Sequence, residues 1–125
     1  MRPTQRTIKY FKDQGMTVDM VERWIPNPKH PGGGFRRDLL NIIDAIALCP
    51  EKGIIGVQSC GQDFAGHLSK IKLEKRTEAL RWLQCGGKLV LIGWRKVKKV
   101  RGGKAMVWSP RIHWFTPEDF SLNYK

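Results

Sequence analysis

The chain has 125 residues, 23 of them Lys or Arg and 11 Asp or Glu, so its formal net charge is +12. This length predicts a single domain over residues 1–125, and a hydrophobic fraction of 41% with 10% aromatic residues excludes a disordered basic tail. No apolar run approaches the roughly 20 residues of a membrane-spanning helix. The surplus of Lys and Arg predicts affinity for nucleic acid, because cations that bind phosphates release counterions.

The N-terminal half predicts one helix followed by strands. We expect the helix over residues 4–14, with Thr4 as its N-cap. Alternating and apolar runs then predict three strands, at residues 17–25, 39–48 and 54–59. The proline and glycine content predicts a loop at 26–34 and a tight turn at 50–53, so the second and third strands should form a buried hairpin.

The C-terminal half predicts a long helix and a strongly basic hairpin. Asp63 is placed to cap a helix over residues 64–84, which Gly86 and Gly87 end. An apolar strand follows at 88–94, and a basic hairpin tip at 95–104 leads back through 105–109. The long helix should cross over between the third and fourth strands. The expected fold class is therefore α/β, a central mixed β-sheet flanked by helices.

Asp44 is the most informative candidate, because it interrupts an almost wholly apolar predicted strand. A buried carboxylate must be ion-paired, hydrogen-bonded or bound to a metal, since leaving it bare costs several kcal/mol. One interpretation is a salt bridge to Arg36 or Arg37. The other is a metal site that includes Gln58 from the facing strand, with Glu22 and Asp38. Such oxygen ligands suit Mg²⁺, which could activate water at a scissile phosphate.

The length of the hairpin turn decides whether Gln58 lies opposite Asp44. If four residues, 50–53, form the loop, Asp44 faces Ser59 and Gln58 points to the other side of the sheet. A three-residue loop, or a bulge at Gly56, would place Gln58 opposite Asp44. The metal site requires the second arrangement.

This pattern resembles the PD-(D/E)XK nuclease superfamily. The element order helix-strand-strand-strand-helix-strand, the Asp44 position and the polar triplet at residues 58–60 carry the resemblance. Three segments are similar to small phage-type members related to Holliday-junction resolvases and VRR-NUC nucleases: Val21-Glu22-Arg23-Trp24, Arg37-Asp38-Leu39 and Ile43-Asp44-Ala45-Ile46-Ala47-Leu48. The resemblance covers roughly residues 4–96 and implies a restriction-endonuclease-like arrangement.

The resemblance also implies a metal-dependent endonuclease that hydrolyses phosphodiester bonds in DNA, including branched or flap structures. It assigns Asp44 as the central ligand of Mg²⁺ or Mn²⁺, Gln58 at the place of the second acidic ligand, and the Ser59 carbonyl as a further ligand. Asp38 and Glu22 would complete the metal site. Cys60 departs from the pattern, which has a lysine there. Lys70 or Lys72 in the following helix would then supply the ammonium, unless both belong to a solvated helix face.

The basic residues are unevenly distributed along the chain. Residues 88–125 hold nine basic and two acidic residues, a balance of +7, against +5 for residues 1–87. Phosphate contacts are expected from the hairpin and from two arginines beside the proposed site: Arg95, Lys96, Lys98, Lys99, Arg101, Lys104, Arg36 and Arg37. The five tryptophans are expected mainly in the core or at its rim, with base stacking by Trp108 or Trp114 as the lesser alternative.

Two other functions remain open at this point. Because Cys60 replaces the lysine, the chain could be a non-catalytic nucleic-acid-binding protein that retains the nuclease fold. A basic interaction protein that docks on an acidic partner is the third hypothesis. Three cysteines without framework spacing predict a reducing compartment, and hence a cytoplasmic protein or, if a phage encodes it, one in the host cytoplasm. The likeness to resolvases also implies a homodimer.

Overall fold

Helices and strands alternate along most of the chain, and the computed structural model describes residues 1–121. The helices are α1 (Pro3–Lys12), α2 (Phe64–Glu74) and α3 (Arg76–Gln84). The strands are β1 (Thr17–Met20), β2 (Arg23–Pro26), β3 (Gly34–Arg37), β4 (Ala45–Cys49), β5 (Gly53–Cys60), β6 (Lys88–Lys98) and β7 (Met106–Trp114). Short 3-10 helices occupy Pro31–Gly33 and Pro117–Phe120.

Five strands form one mixed sheet in the order β1-β4-β5-β6-β7. The pairs β1–β4, β4–β5 and β6–β7 are antiparallel, whereas β5 and β6 are parallel. A parallel neighbour requires a crossover, which α2 and α3 supply, as the sequence predicts. The strands β2 and β3 form a separate two-stranded hairpin. The chain is therefore a single-domain α/β fold with a five-stranded mixed sheet and three helices.

Alternation of side chains along the strands divides the core into two layers. On one side Phe11 of α1 packs with sheet residues that include Val57 and Ile92. On the other side, Phe64 and Ile71 of α2 pack with Ile43, and the rest of that layer comes from the sheet, α3 and the C-terminal segment. The sheet thus lies between α1 and the α2–α3 pair. None of the helices within residues 1–121 has the length and apolar character needed to cross a membrane.

A buried polar network holds α1 against the sheet. The Thr7 hydroxyl accepts hydrogen bonds from the Ser59 hydroxyl and from the Trp94 indole N–H, each at 2.9 Å, and donates to the Pro3 carbonyl at 3.0 Å. Thr7 is 0% exposed, so water cannot replace these bonds. The network therefore anchors the helix beside the end of β5.

Replacing Thr7 with valine keeps the shape of the side chain but removes its hydroxyl. The Ser59 and Trp94 donors would then lie in the core without an acceptor, which costs about 1–3 kcal/mol for each group. We expect the free energy of unfolding in urea to fall by about 2–4 kcal/mol. Thr4→Val is the matched control, because Thr4 is buried in the same helix and makes no side-chain hydrogen bond among residues 1–121. Equal losses in both variants would contradict the assignment.

Two predicted strands of the N-terminal half have different bounds in the structure, and the two strands of the basic hairpin are longer than predicted. Residues 17–25 do not form one strand: the chain leaves the main sheet after Met20 and enters the separate hairpin at Arg23. Residues 39–44 form a tight turn rather than the first half of a strand, and β4 begins only at Ala45. Leu40 and Asn41 have positive φ angles of 56° and 62°, a conformation that sequence patterns do not signal for leucine. Asp44 is therefore adjacent to a strand and not within it.

The helix predictions also required correction. The expected helix over 64–84 breaks at Lys75, which has the non-helical φ and ψ angles of −112° and 16°. Asp63 caps α2 as predicted, accepting from the Gly66 N–H at 3.1 Å. Thr4 is not an N-cap, because the first helix begins one residue earlier, at Pro3, and Arg2 occupies the cap position.

Candidate functional site

Asp44 lies beside Gln58 and Ser59 at the open end of the β4–β5 hairpin. Cys49 pairs with Gly53 and Ala45 with Val57, where the paired register ends, and the Asp44 N–H donates to the Val57 carbonyl oxygen at 2.9 Å. The loop thus has three residues, 50–52, and Ile46 pairs with Gly56 without a bulge there. Gly53 closes the loop with a φ of 91° that glycine readily adopts. Of the two turn alternatives, the structure has the one that the metal site requires.

The Asp44 carboxylate is buried and only partly hydrogen-bonded. Its Oδ2 accepts from the Ser59 N–H at 2.9 Å and lies 3.4 Å from the Gln58 amide nitrogen. Its Oδ1 has no hydrogen-bond partner among residues 1–121. Asp44 is 3% exposed, and the pKa of its carboxyl is raised to about 8; burial is the largest cause, the hydrogen bond from the Ser59 N–H opposes it, and the nearby Asp38 and Glu22 add to it. Burial therefore favours the neutral form of this carboxyl, and a nearby cation would favour the ionised form.

The base of the second hairpin brings two more carboxylates to this place. Arg23 pairs with Arg37 in β2–β3, so Glu22 and Asp38 occupy the next opposed positions. The Glu22 and Val21 N–H groups lie 3.4 and 3.0 Å from the Asp44 carbonyl oxygen, which joins this hairpin to β4. Burial and the neighbouring Glu22 raise the pKa of Asp38, while the Gln58 amide and Lys75 lower it. The open ends of the two hairpins therefore bring Asp44, Asp38 and Glu22 together, and we call these three carboxylates the acidic cluster.

Arginines neutralise Glu22 but not Asp44. The Glu22 Oε1 accepts from Arg36 at 2.9 Å and from Arg2 at 3.2 Å. Within residues 1–121, Asp44 forms no ion pair, so the alternative of a salt bridge from Asp44 to Arg36 or Arg37 is wrong. Within residues 1–121, neither Asp44 nor Asp38 forms an ion pair, so no arginine or lysine neutralises these two carboxylates directly.

A small cavity lies between α2 and the acidic cluster, next to Gln58 and Asp38. The cavity has a volume of about 200 Å³ and is lined by Asp38, Asn41, Ile42, Gln58, His67, Lys70, Ile71 and Lys75. Lys70 is thus on the same side as the cluster. Lys72 instead lies 3.4 Å from Asp119, in the C-terminal segment. The spacing in the sequence did not distinguish these two lysines, and only the helix orientation does.

Two residues at this cavity were not predicted as members of the site. Lys75 lies at the break between α2 and α3 and lowers the pKa of Asp38 through its charge. His67 lies 2.8 Å through its Nδ1 from the Asp63 carbonyl oxygen, one turn earlier in α2. If Nδ1 donates this bond, Nε2 of the neutral ring is the unprotonated nitrogen. Lys75 was missed because the apolar pattern over 64–84 did not show that the helix breaks there.

A wider cleft adjoins the same carboxylates. Its volume is about 590 Å³, and its lining consists of Glu22, Phe35, Arg36, Arg37, Asp38, Asn41 and Lys75. Both predicted arginines therefore border the acidic cluster. Arg37 forms no ion pair within the described part of the chain, so its charge is open to an anionic ligand.

Cys60, at the end of β5, does not take part in the open site. It is 4% exposed and belongs to the apolar layer under α2. The pKa of its thiol is raised to about 11; burial is the largest cause, Asp63 and Asp44 add to it, and Arg111 opposes it. The thiol is therefore neutral at physiological pH and supplies neither a cation nor a thiolate.

The basic hairpin projects from the edge of the sheet at which the acidic cluster lies. Cys60 ends β5 opposite Gly93, and β6 continues for five more residues, from Trp94 to Lys98. At about 3.4 Å per residue, this extension is roughly 17 Å long. All six predicted basic residues are exposed and form no ion pairs within residues 1–121: Arg95, Lys96, Lys98, Lys99, Arg101 and Lys104. The hairpin is an unpaired cationic arm beside the site.

The acidic cluster is smaller than an all-protein metal cage. Within residues 1–121, no three His, Cys, Asp or Glu side chains are arranged to hold an ion. The oxygens of Asp44 and Asp38 and the Gln58 amide are the closest available donors, with the Ser59 carbonyl 3.5 Å from the Gln58 amide nitrogen. This donor set fits Mg²⁺, which typically takes one or two carboxylates and completes its shell with water and substrate phosphate.

No known protein family, curated protein or solved structure matches this chain.

Proposed function

We propose that this chain is a metal-dependent endonuclease that hydrolyses phosphodiester bonds in DNA. The observation that carries the proposal is the buried Asp44 carboxylate, whose Oδ1 has no partner in the described chain, next to Gln58 and two further carboxylates. A site built only for stability would pair this charge, because an uncompensated buried charge costs several kcal/mol. The fold and the resemblance to PD-(D/E)XK nucleases support the same chemistry.

Asp44, Asp38, Gln58 and the Ser59 carbonyl would hold Mg²⁺ or Mn²⁺, with Glu22 beside them. When bound, the cation lowers the pKa of a coordinated water and stabilises negative charge on the phosphate. The Ser59 N–H keeps the Asp44 carboxylate in place through its 2.9 Å hydrogen bond. In the metal-free protein, ion pairs with Arg2 and Arg36 already compensate the charge of Glu22.

Lysine and arginine side chains around the cluster would bind the substrate phosphate. Lys70 and Lys75 line the cavity on the α2 side, and Arg36 and Arg37 line the cleft on the other. A phosphate at the cluster would therefore be flanked by cations on two sides. Lys70 then takes the role of the lysine that Cys60 replaces, orienting the attacking water and stabilising the developing charge.

The cationic arm supplies binding energy away from the reacting bond. Its residues extend about 17 Å past the end of β5, on the order of one duplex diameter, so they would contact the phosphate backbone beside the cleaved position. Branched or flap DNA is the substrate class that we propose, since such molecules present backbone to both the cluster and the arm. A homodimer and a cytoplasmic location remain predictions from the sequence, and sedimentation of the purified protein would test the first.

The proposal is tested with purified protein and labelled single-stranded, duplex, flap and four-way-junction DNA. We expect cleavage with Mg²⁺ or Mn²⁺ and none with EDTA, because Asp44 forms no ion pair within residues 1–121 and the proposed chemistry at its carboxylate depends on the metal. A chelated sample to which Mn²⁺ is returned should recover its activity. If no DNA form is cleaved with either metal, the proposal is wrong.

A second candidate is a non-catalytic protein that binds nucleic acid through the same fold. The neutral, buried Cys60 thiol favours it, because the position of the expected lysine carries no charge. The same assay separates the candidates: binding that weakens steeply with salt, without cleavage under any condition, would support this second function.

A further inference from the structure

A second surface, which combines aromatic and basic side chains, lies on the face of the basic hairpin that is turned towards α1, away from α2. Lys96 pairs with Trp108 and Trp94 with Pro110, so these side chains share the face of the sheet that α1 covers. Trp94 is buried against α1, whereas Trp108, further along the arm, is 40% exposed. A large aromatic ring is therefore open to solvent next to a helix that carries basic residues.

Two cations contact this ring. The Arg6 guanidinium of α1 lies 3.8 Å from the Trp108 ring centroid, and the Lys96 ammonium lies 5.3 Å from it. A cavity of about 290 Å³ adjoins them between α1 and the hairpin, lined by Met1, Arg6, Lys9, Tyr10, Asp13, Trp94 and Trp108. The acid in this lining, Asp13, is already paired with Lys9 at 2.8 Å. The surface thus combines aromatic rings with net positive charge.

The chemistry of this surface fits one kind of ligand. A nucleobase stacks on an aromatic ring, and its phosphate pairs with neighbouring cations. The cavity lies at the lower end of the range for small-molecule sites, which suits a single base. An apolar peptide would leave the Arg6 and Lys96 charges unmatched. A base within a duplex already has both faces stacked, so the ligand must be unpaired.

We propose that this face binds an unpaired nucleotide of a single strand, with its base against the part of the Trp108 ring that remains exposed and its phosphate paired with the neighbouring Arg6 and Lys96 charges. The proposal deepens the proposed nuclease function and rests on it for its biological role. The Trp94 indole donates to Thr7, which accepts from Ser59, the neighbour of Gln58 in β5. The two surfaces therefore meet at one edge of the sheet, and a strand that crosses this edge reaches both. Such a site selects DNA that has an unpaired segment next to the cleaved bond.

The test measures binding of a labelled oligothymidylate in EDTA, so that cleavage plays no part. Trp108→Ala should weaken binding about 5- to 100-fold, the range for loss of one stacked base, and should change duplex affinity less than twofold. Trp108→Phe should recover most of the affinity, because it restores a stacking ring. Arg6→Gln, which leaves the tryptophan in place, should also weaken oligothymidylate binding and lower its salt dependence.

Trp114→Ala is the matched control. Trp114 lies on the same face of the same strand, is 36% exposed and has Lys52 at 4.7 Å from its ring, but it is at the opposite end of β7. Its replacement should change binding less than twofold, and all variants must retain the wild-type thermal midpoint. Equal losses for Trp108→Ala and Trp114→Ala, or for single strands and duplex, would overturn the proposal. The binding assay contains EDTA and no metal, so its failure would overturn the stacking proposal without bearing on cleavage. A failed cleavage assay would overturn the nuclease proposal without bearing on single-strand binding.

Discussion

Asp44→Asn is expected to abolish DNA cleavage and, in the same molecule, to stabilise the metal-free protein at pH 8. Cleavage should fall about 100- to 1,000-fold, the range seen when a central charge-stabilising group is removed. The stability gain has a separate cause. The folded-state pKa of Asp44 is raised from 3.8 to about 8 by burial, so folding at neutral pH must protonate this carboxyl or bury its charge. Asparagine is neutral and avoids this cost.

The sign of the pH dependence follows from that shift. Between pH 4 and pH 8 the folded state binds more protons than the unfolded state, so the free energy of unfolding falls as the pH rises. In urea titrations with EDTA, we expect the variant to be about 2–4 kcal/mol more stable than the wild type at pH 8. This difference should shrink towards zero near pH 4. Stability measured at intermediate pH values should follow a smooth curve between these limits.

Metal ions should reverse the order of stability. Mg²⁺ or Mn²⁺ favours the ionised carboxylate, so it should raise the thermal midpoint of the wild type at pH 8 by mass action and leave Asp44→Asn unchanged. Asp19→Asn is the matched control, since Asp19 is an exposed carboxylate on the neighbouring strand β1. It should keep both activity and wild-type stability. A variant at Asp44 that loses stability at pH 8 but still cleaves DNA would refute the assignment.

Removing four charges from the cationic arm should produce the second large effect. We expect affinity for DNA to fall roughly 100- to 1,000-fold at about 0.1 M salt when four of its exposed cations become glutamine: Lys98, Lys99, Arg101 and Lys104. Each lost phosphate contact reduces the slope of log affinity against log salt by about 0.9, so the slope should fall by up to about 3.6. Anisotropy titrations at several salt concentrations measure both quantities.

The control for this variant removes the same charge from the opposite end of the sheet. Four exposed residues are suitable and are also changed to glutamine: Lys12, Lys52, Arg81 and Lys88. The total charge of the two variants is identical, so a difference between them reports position rather than net charge. We expect the control to weaken binding less than tenfold. Similar losses in both would show that DNA responds only to the overall charge of +12.

The sequence alone determined the features that depend on neighbouring residues. Two apolar runs joined by a tight turn predicted the β4–β5 hairpin, and Asp63 predicted the start of α2. The helix expected between the third and fourth strands predicted the crossover that joins the parallel strands β5 and β6. The candidate residues Asp44 and Gln58 came from the same local reasoning, because a polar residue in an apolar run requires a partner. The basic content of the hairpin was also visible, since charge is a property of composition.

Only the tertiary structure decided where these candidates lie relative to one another. A change of one residue in the turn would have moved Gln58 to the other face, and the sequence permits both loop lengths. The left-handed conformation of Leu40, which helps to end the predicted strand before Asp44, has no local signal. Asp38 and Glu22 meet because a second hairpin closes beside the first, a contact between distant segments that local periodicity does not encode.

The same physical reason applies to the side chains that surround the site. Lys70 and Lys72 are equivalent in sequence, yet the helix orientation sends one to the cavity with Gln58 and the other to Asp119. Trp108 and Trp114 are likewise equivalent until α1 places Arg6 over the first. Local sequence determined which groups the chain carries and that its charge of +12 favours a polyanion. The packing of α1, α2 and the two hairpins decided which groups share a site, because contacts between distant segments depend on the whole fold.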